Sequence, residues 1–386
     1  MGNADIDFKR NAAMWVRAAV ALAGLALATA CDADGDGDET PAQSGGVSAP
    51  AQGGTTGASE PDASTGAPVG TTTTDDGADG TAGDTMDPES PVKLDVGQVP
   101  DAPDFSNCGA PSPVVCDDED DDMMHALGLN CDGGPQLDGV YTGGVEALYI
   151  HEGNLGTSVP AAYPPREGDK VVILSTGIAT EILTPGAYTS TGTSSPDPGF
   201  ALPAPLNMSA VSPFEDCAEN PALIGTGDCS NTLAMQWSQG QGANDYVEIR
   251  INAEVPAETF AFSYEFAFFS EEYPDFFMTQ YNDMYVAWLE SEQWTGNISF
   301  DEAGNPISLN AGFLDNLPGS PELIGTSMSD NAGTKWLVST AGVTPGEDIE
   351  IVFALWDLSD DSLDTVVMLD NWQWGCEGGP PITIPG

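Results

Sequence analysis

The chain has 386 residues, with 61 Asp and Glu against 8 Lys and Arg, for a formal net charge of −53. A nucleic-acid partner would meet a repulsive field, which excludes that class at the outset. The same field favours solubility and attracts cations.

The first thirty residues predict an export signal. Lys9, Arg10 and Arg17 accompany an apolar run from Ala18 to Ala30, too short for a stable membrane span. The run stops at Cys31, and Leu27-Ala28-Thr29-Ala30-Cys31 is similar to a bacterial lipobox, whose cysteine is lipidated and becomes the new N-terminus. Cleavage near Ala30 without lipidation is the plainer alternative. Asp5 and Asp7 are unusual in a charged leader, and the stretch from Met14 forms a compact signal alone, so Met14 is an alternative start. Removal of residues 1–30 leaves 5 basic and 59 acidic side chains, a mature charge of −54. The expected product is an exported, membrane-anchored lipoprotein of the outer membrane or cell surface. Asp32 would favour inner-membrane retention under one sorting rule that is not general.

Residues 31–104 predict a disordered acidic tether. From Asp32 to Asp104 there is no aromatic residue, so the segment has too little apolar surface to offset its ordering entropy. A flexible chain of this length reaches on the order of 50 Å. Asp32, Asp34, Asp36 and Asp38 begin like an EF-hand loop, but the twelfth position is Gln43 where a bidentate Glu is required, and flanking helices are not predicted. This stretch reads as a solvated spacer.

Residues 105–134 form a Cys-rich acidic lead-in, with Cys108, Cys116 and Cys131 around the run Asp117 to Asp122. Carboxylates packed in this way repel unless cations neutralise them, so the run is either a calcium loop or a solvated one. Setting Cys31 aside leaves six cysteines, the other three being Cys217, Cys229 and Cys376. An even number in an exported chain predicts three disulfides out of 15 possible pairings. Cys217 and Cys229 close a short loop, and Cys376 is expected to tie the C-terminus to Cys108, Cys116 or Cys131. The irregular spacings and the lack of a C-x-x-C pair argue against zinc.

From residue 135 to 376 the pattern is of strands. Val171–Leu174, Tyr246–Val255 and Thr259–Ser270 lead, the last placing Phe260, Phe262, Tyr264, Phe266 and Phe268 on one face at period two. Met284–Leu289, a hairpin-like pair around Asp301–Pro306, Trp336–Ser339, Ile349–Trp356 and Thr365–Trp374 follow, and residues 377–386 form a tail. Short strands with Gly, Pro and Asn punctuation predict an all-β fold, an antiparallel β-sandwich or jelly-roll-like domain.

Catalytic signatures are weak. No G-x-S-x-G elbow occurs, His125 and His151 have no partner pattern and read as surface residues, and His151-Glu152 continues to Leu155 where H-E-x-x-H needs histidine. Gly225-Thr226-Gly227 and Gly240-Gln241-Gly242 lack a third glycine and read as turns. Glu271 and Glu272 are adjacent, so in extended chain they point apart and cannot flank one glycosidic bond. Calcium accounts better for two oxygen-rich loops, Glu271, Glu272, Asn282 and Asp283 in one and Asp357, Asp360, Asp361 and Asp364 in the other. Loops at one end of a sandwich converge although distant in sequence. The rings Tyr273, Phe276, Phe277 and Tyr281 offer a platform for a sugar or protein ligand, with core packing the more common fate for Phe276 and Phe277. Pro274 argues against a continuous strand there.

The ordered blocks Val172–Gly177, Phe262–Tyr273 with Asn282-Asp283, Trp336–Thr340, Pro345–Glu347, Ile351–Asp357 with Leu363-Asp364, and Leu369–Asn371 resemble the choice-of-anchor L domain family across about residues 135–376. Asp364-Thr365 departs from the Asp-Ser commonly seen there and keeps the hydroxyl. The resemblance implies export and surface attachment, with no catalytic residues to carry over. The resulting expectation is a surface lipoprotein held by its N-terminal lipid, without catalysis, presenting a calcium-ordered sandwich to a glycan or surface protein. The alternatives are a polysaccharide hydrolase using paired carboxylates and a structural envelope protein.

Overall fold

The computed structural model describes residues 108–117, 120–186, 193–207, 217–229 and 232–386. All belong to one compact unit spanning Val92–Gly386. The export signal, Cys31 and the tether lie outside the described residues. Among the described residues no helix is long and apolar enough to cross a membrane.

Among the described residues thirteen strands, numbered along the chain, form two antiparallel sheets, the β-sandwich expected from the strand pattern. In the first sheet β1 (Asp138–Thr142), β4 (Ala243–Glu254), β11 (Asp348–Leu358), β6 (Met284–Glu290) and β7 (Thr295–Asn297) lie in that order, with β8 (Ile307–Ser308) also on β6. The second runs β13 (Ile382–Pro385), β10 (Leu337–Gly342), β5 (Ala261–Ser270), β12 (Thr365–Gly375), β3 (Lys170–Ser175) and β2 (Leu148–Glu152), with β9 (Ala332–Gly333) on β5.

Period two decides what lies between the sheets. Phe262, Tyr264, Phe266 and Phe268 of β5 face Tyr285 of β6 and Ile351, Phe353 and Leu355 of β11 in one buried cluster. Ring pairs bridge the layers, Tyr264 to Phe353 at 4.8 Å and Phe266 to Tyr285 at 4.9 Å between centroids. Phe260 falls short of β5 and is only half-buried.

The outer faces are buried as well. Loops cover the second sheet through Tyr163, Ile182 and Met328, packed on Ile173, Phe269 and Met368. Leu202, Leu206 and Leu233 cover Tyr246, Trp288 and Trp356 of the first. Strands buried on both faces read as continuous apolar runs, which is why β3 and β6 show little alternation.

Three disulfides join Cys108 to Cys376, Cys116 to Cys131 and Cys217 to Cys229, within the expected set. The lead-in is part of the main core, contributing Met124, Ala126, Leu127 and Leu129. Residues 301–306 differ from the expected hairpin, because β7 and β8 both pair with β6 and only the bridge Phe300–Pro306 closes the loop between them. Asp301 organises that loop instead, accepting from the backbone N–H groups of Ala303, Asn305 and Gly312.

Phe266 is fully buried at the centre of the inter-sheet layer. Phe266→Ala is expected to lower stability by about 3–5 kcal/mol, read as a shift of the urea midpoint at constant slope.

Candidate cation site

The inward-facing rows that build the core change character at one end of the sandwich. In β3 the row Val172, Leu174 continues to Thr176, and in β5 the row ending at Phe268 continues to Ser270. The β11 row Phe353, Leu355 ends at Asp357, the β12 row Leu369, Val367 starts at Thr365, and the β6 row Leu289, Ala287, Tyr285 is preceded by Asp283. Antiparallel register brings these ends together, with Thr365 opposite Ser270, Val366 opposite Ser175 and Trp356 opposite Met284. The core is therefore capped by Thr176, Ser270, Asp283, Asp357 and Thr365, all at most 1% exposed.

Hydrogen bonds tie the cap across both sheets. Thr365 Oγ1 donates to Asp283 Oδ2 at 2.5 Å and lies 3.1 Å from Ser270 Oγ. Leu358 N donates to Asp283 Oδ1 at 3.1 Å, and Thr365 N donates to Thr176 Oγ1 at 2.9 Å. Asp357 extends the row of carboxyls, close to Asp283 and within reach of the Thr176 hydroxyl.

Two loops add further carboxylates. β5 ends in a turn where Glu271 N donates to Asp364 O at 3.0 Å and Glu272 N to Ser270 Oγ at 3.2 Å. Glu271 lies toward Asp364, whereas Glu272 lies toward Asp283 and Asp360. The two glutamates diverge, as expected of neighbours, although the backbone is a turn and not a strand. The 359–364 loop holds Ser359 and Leu363 at φ 92° and 70°, a left-handed conformation that costs on the order of 1 kcal/mol for non-glycine residues. Gly177 is what admits Asp364, since a Cβ there would stand 1.8 Å from Asp364 Oδ2.

Four of these carboxyls are short of partners. Buried oxygens Glu272 Oε2, Asp357 Oδ1, Asp360 Oδ1 and Asp364 Oδ2 have no hydrogen-bond partner. The described residues include four basic side chains, and all are engaged elsewhere. Arg166 pairs with Glu265 at 2.5 Å, Lys170 with Asp121 at 3.0 Å, Arg250 with Glu248 and Glu350 at 3.1 and 2.8 Å, and Lys335 with Asp315 at 3.4 Å.

Burial without a counter-charge raises Glu272, Asp283, Asp357, Asp360 and Asp364. Asp364 moves from 3.8 to about 9, first through burial and then through the charge of Glu271. Asp357 rises well above its usual range through burial and the neighbouring Asp283, and Glu272 rises through burial and the charges of Asp283 and Asp360. Asp283 also rises, burial outweighing its bonds from Thr365 and Leu358.

The orphaned donors are all oxygens, which suits hard cations such as calcium. Among the described residues, no group of three or more His, Cys, Asp or Glu side chains stands in a ready metal-holding arrangement.

The structure thus brings together Glu271, Glu272, Asp283, Asp357, Asp360 and Asp364 from the two predicted loops. It draws Asn282 away, because Nδ2 donates to Gln236 Oε1 at 2.6 Å and Oδ1 accepts from Asn310 N at 2.9 Å. Asp361 is exposed on the rim. Phe277 is 43% exposed and Phe276 half-buried, contrary to the core packing expected of them, because the turn carries both past the sheet end. Tyr273 packs on Phe277 at 5.5 Å and Tyr281 on Phe276 at 5.4 Å. His125 and His151, expected on the surface, are both half-buried. Asp245 joins the group without having been singled out; it sits at the break in β4–β11 pairing with φ 46° and accepts from Thr193 N and Oγ1. Its isolation in Ala243–Tyr246 left no sequence signal.

Compared with known protein families, curated proteins and solved structures, the chain matches none. The resemblance to choice-of-anchor L domains therefore stands on the quoted residues alone.

Two outcomes are expected. Gly177→Ala drives a methyl into the Asp364 carboxyl and lowers stability by about 1–3 kcal/mol, measured by denaturant titration. In chelator, Asp364, raised from 3.8 to about 9, binds its proton more tightly folded than unfolded. Its stabilisation is complete below about pH 4 and lost as pH rises toward 9, so the melting temperature falls across that window in a fluorimetric pH series.

Proposed function

We propose that this protein is an exported, cell-surface lipoprotein whose sandwich is a non-catalytic binding domain, its acidic end ordered by calcium. One observation carries the cation reading: four buried carboxyl oxygens without partners at the sandwich end where all four described basic side chains are absent. Uncompensated buried charge is strongly unfavourable, and a divalent ion offsets it in a way that the chain's own side chains do not. Six or more oxygens would come from Glu272, Asp283, Asp357, Asp360 and Asp364 with backbone carbonyls and water.

Surface display is supported by the lipobox-like run to Cys31 and by three disulfides, which persist in oxidising compartments. An adhesive role follows from what lies around the acidic end. Phe277 and Met278 are 43% and 73% exposed at its rim, and ordering of the 270–283 and 357–364 loops sets where they project. A hydrolase working through paired carboxylates is disfavoured by burial, since Glu272, Asp283 and Asp357 are at most 1% exposed and a glycosidic bond must reach both groups.

Thermal melting of the mature chain with millimolar calcium against chelator tests the ion. Saturation at a hundredfold excess over Kd adds about 2.7 kcal/mol, roughly 5–10 °C for a domain of this size. Asp357→Asn is expected to remove most of that increment; equal melting with and without calcium in the parent chain would sink the reading. Glycan-array binding, retained in calcium and lost in chelator, is the expected result for an adhesive domain.

A further inference from the structure

A second carboxylate pair, remote in sequence from the first group, lies where the Cys-rich lead-in meets the sandwich. Asp117 follows Cys116 directly and is fully buried. Its Oδ2 accepts from the backbone N–H groups of Asp169 and Lys170 at 2.8 and 2.6 Å, which presses the carboxyl onto the turn before β3. Gly168 makes this possible, with φ 59° and a position where a Cβ would stand 2.1–2.4 Å from the Asp117 carboxyl atoms. Asp370 of β12 holds the other half of the turn, its Oδ2 accepting from Arg166 N at 2.6 Å and Glu167 N at 3.3 Å.

Between these anchors stands Glu167. Its side chain is nine-tenths buried, and both carboxyl oxygens are without a partner, as is Asp117 Oδ1. The two basic side chains of the same turn bond to other carboxylates, Arg166 to Glu265 and Lys170 to Asp121 with the carbonyl of Asp120. A point beside Gly128, where a Cβ would sit, is 3.4 Å from the Trp372 carbonyl oxygen and 3.6 Å from Glu167 Oε2. The Trp372 carbonyl and Glu167 Oε2 thus both border the space beside Gly128. Glu167 is pushed up to about 7 by burial and then by the charge of Asp117, and Asp370 to about 8 mainly by burial. Three buried carboxyl oxygens, Glu167 Oε1 and Oε2 and Asp117 Oδ1, are thus left without a hydrogen-bond partner.

We propose that Asp117 and Glu167 form a second site for a hard divalent cation of the calcium class, positioned by Asp370, that fastens the Cys116–Cys131 lead-in onto the sandwich. The site is independent of the cap at the far loops, sharing no residue with it. Cation binding there bridges the segment that leaves the tether and the strands that carry the binding domain. Loss of the ion loosens the Asp117 end of the lead-in, while Met124, Ala126, Leu127 and Leu129 stay packed in the core.

The test uses the mature chain and calcium or terbium alone. Crystals of the parent protein soaked in terbium are expected to show an anomalous peak between Asp117 and Glu167, separate from any peak near Asp283 and Asp357. Equilibrium dialysis with calcium is expected to lose one bound equivalent, or about tenfold or more in affinity, in Glu167→Gln, while Asp357→Asn leaves that equivalent in place. Glu167→Gln should also speed thermolytic cleavage within 108–134 in calcium, a change the Asp357 variant does not make. No anomalous peak at Asp117 and Glu167 in the parent crystals overturns the proposal, as does calcium stoichiometry in Glu167→Gln equal to that of the parent. A peak here with none at the cap supports this site and counts against the other, so the two fail separately.

Discussion

The packing of β5 against β11 and β6 across the inter-sheet space is the interaction on which the remainder depends. Phe262 stacks on Trp372 at 4.6 Å, and Tyr264 and Phe266 meet Phe353 and Tyr285 across the layer. Aromatic rings bury large areas and prefer edge or offset contacts, so this layer holds the strands in one register. A slip of one residue would turn every ring to the opposite face. With register set in this way, the residues that extend the inward rows have no choice of place. Thr176, Ser270, Asp283, Asp357 and Thr365 arrive at one end because antiparallel pairing aligns the ends of their strands.

The consequence is electrostatic. A polar cap of hydroxyls alone would satisfy itself, as Tyr264, Ser299, Ser339 and Thr383 do by a chain of hydroxyl contacts elsewhere in the core. Here two of the five positions are aspartates, and the adjoining turns supply Glu272, Asp360 and Asp364. The chain has 8 basic residues against 61 acidic ones. The four described cations instead work in separate pairs, most fully around Arg250, which serves Glu248, Glu350 and the Ala204 carbonyl on the outer face of the first sheet. The shortage of positive side chains is thus a property of the whole sequence, felt most where carboxyls are buried. The lead-in repeats the situation on a smaller scale at Asp117 and Glu167.

Legibility followed the length of the signal. Strands with long runs, such as Thr259–Ser270 and Ile349–Trp356, are placed within a residue or two of their positions, because period-two patterning and burial agree. Around 301–306 the chain turns back on itself as expected, with Phe300 bridged to Pro306, but β7 and β8 pair with β6 and not with each other, a preference that local turn chemistry does not encode. Phe276 and Phe277 were misjudged for a related reason: hydrophobicity alone does not say on which side of a sheet end a turn will carry a ring. Of the candidate ligands, those lying in the inward register, Asp283 and Asp357, were legible as strand-end carboxylates. Asn282 was not separable from Asp283 in sequence, yet alternation turns it outward to Gln236 and Asn310.

By itself the sequence determined the all-β class, the positions of the longer strands, the surplus of acid and the availability of six cysteines for three bridges, since each depends on composition or on short-range periodicity; β1, β2 and β13, the last within the expected tail, show no such pattern. Only the tertiary structure decided which carboxyls share a space. That Glu272 lies near Asp360, that Asp364 rests against Gly177, and that Asp117 and Glu167 meet over the turn before β3 are products of strand order and loop crossing. Distances between residues fifty to two hundred positions apart are set by how the sheets stack, and no local pattern in the chain carries them.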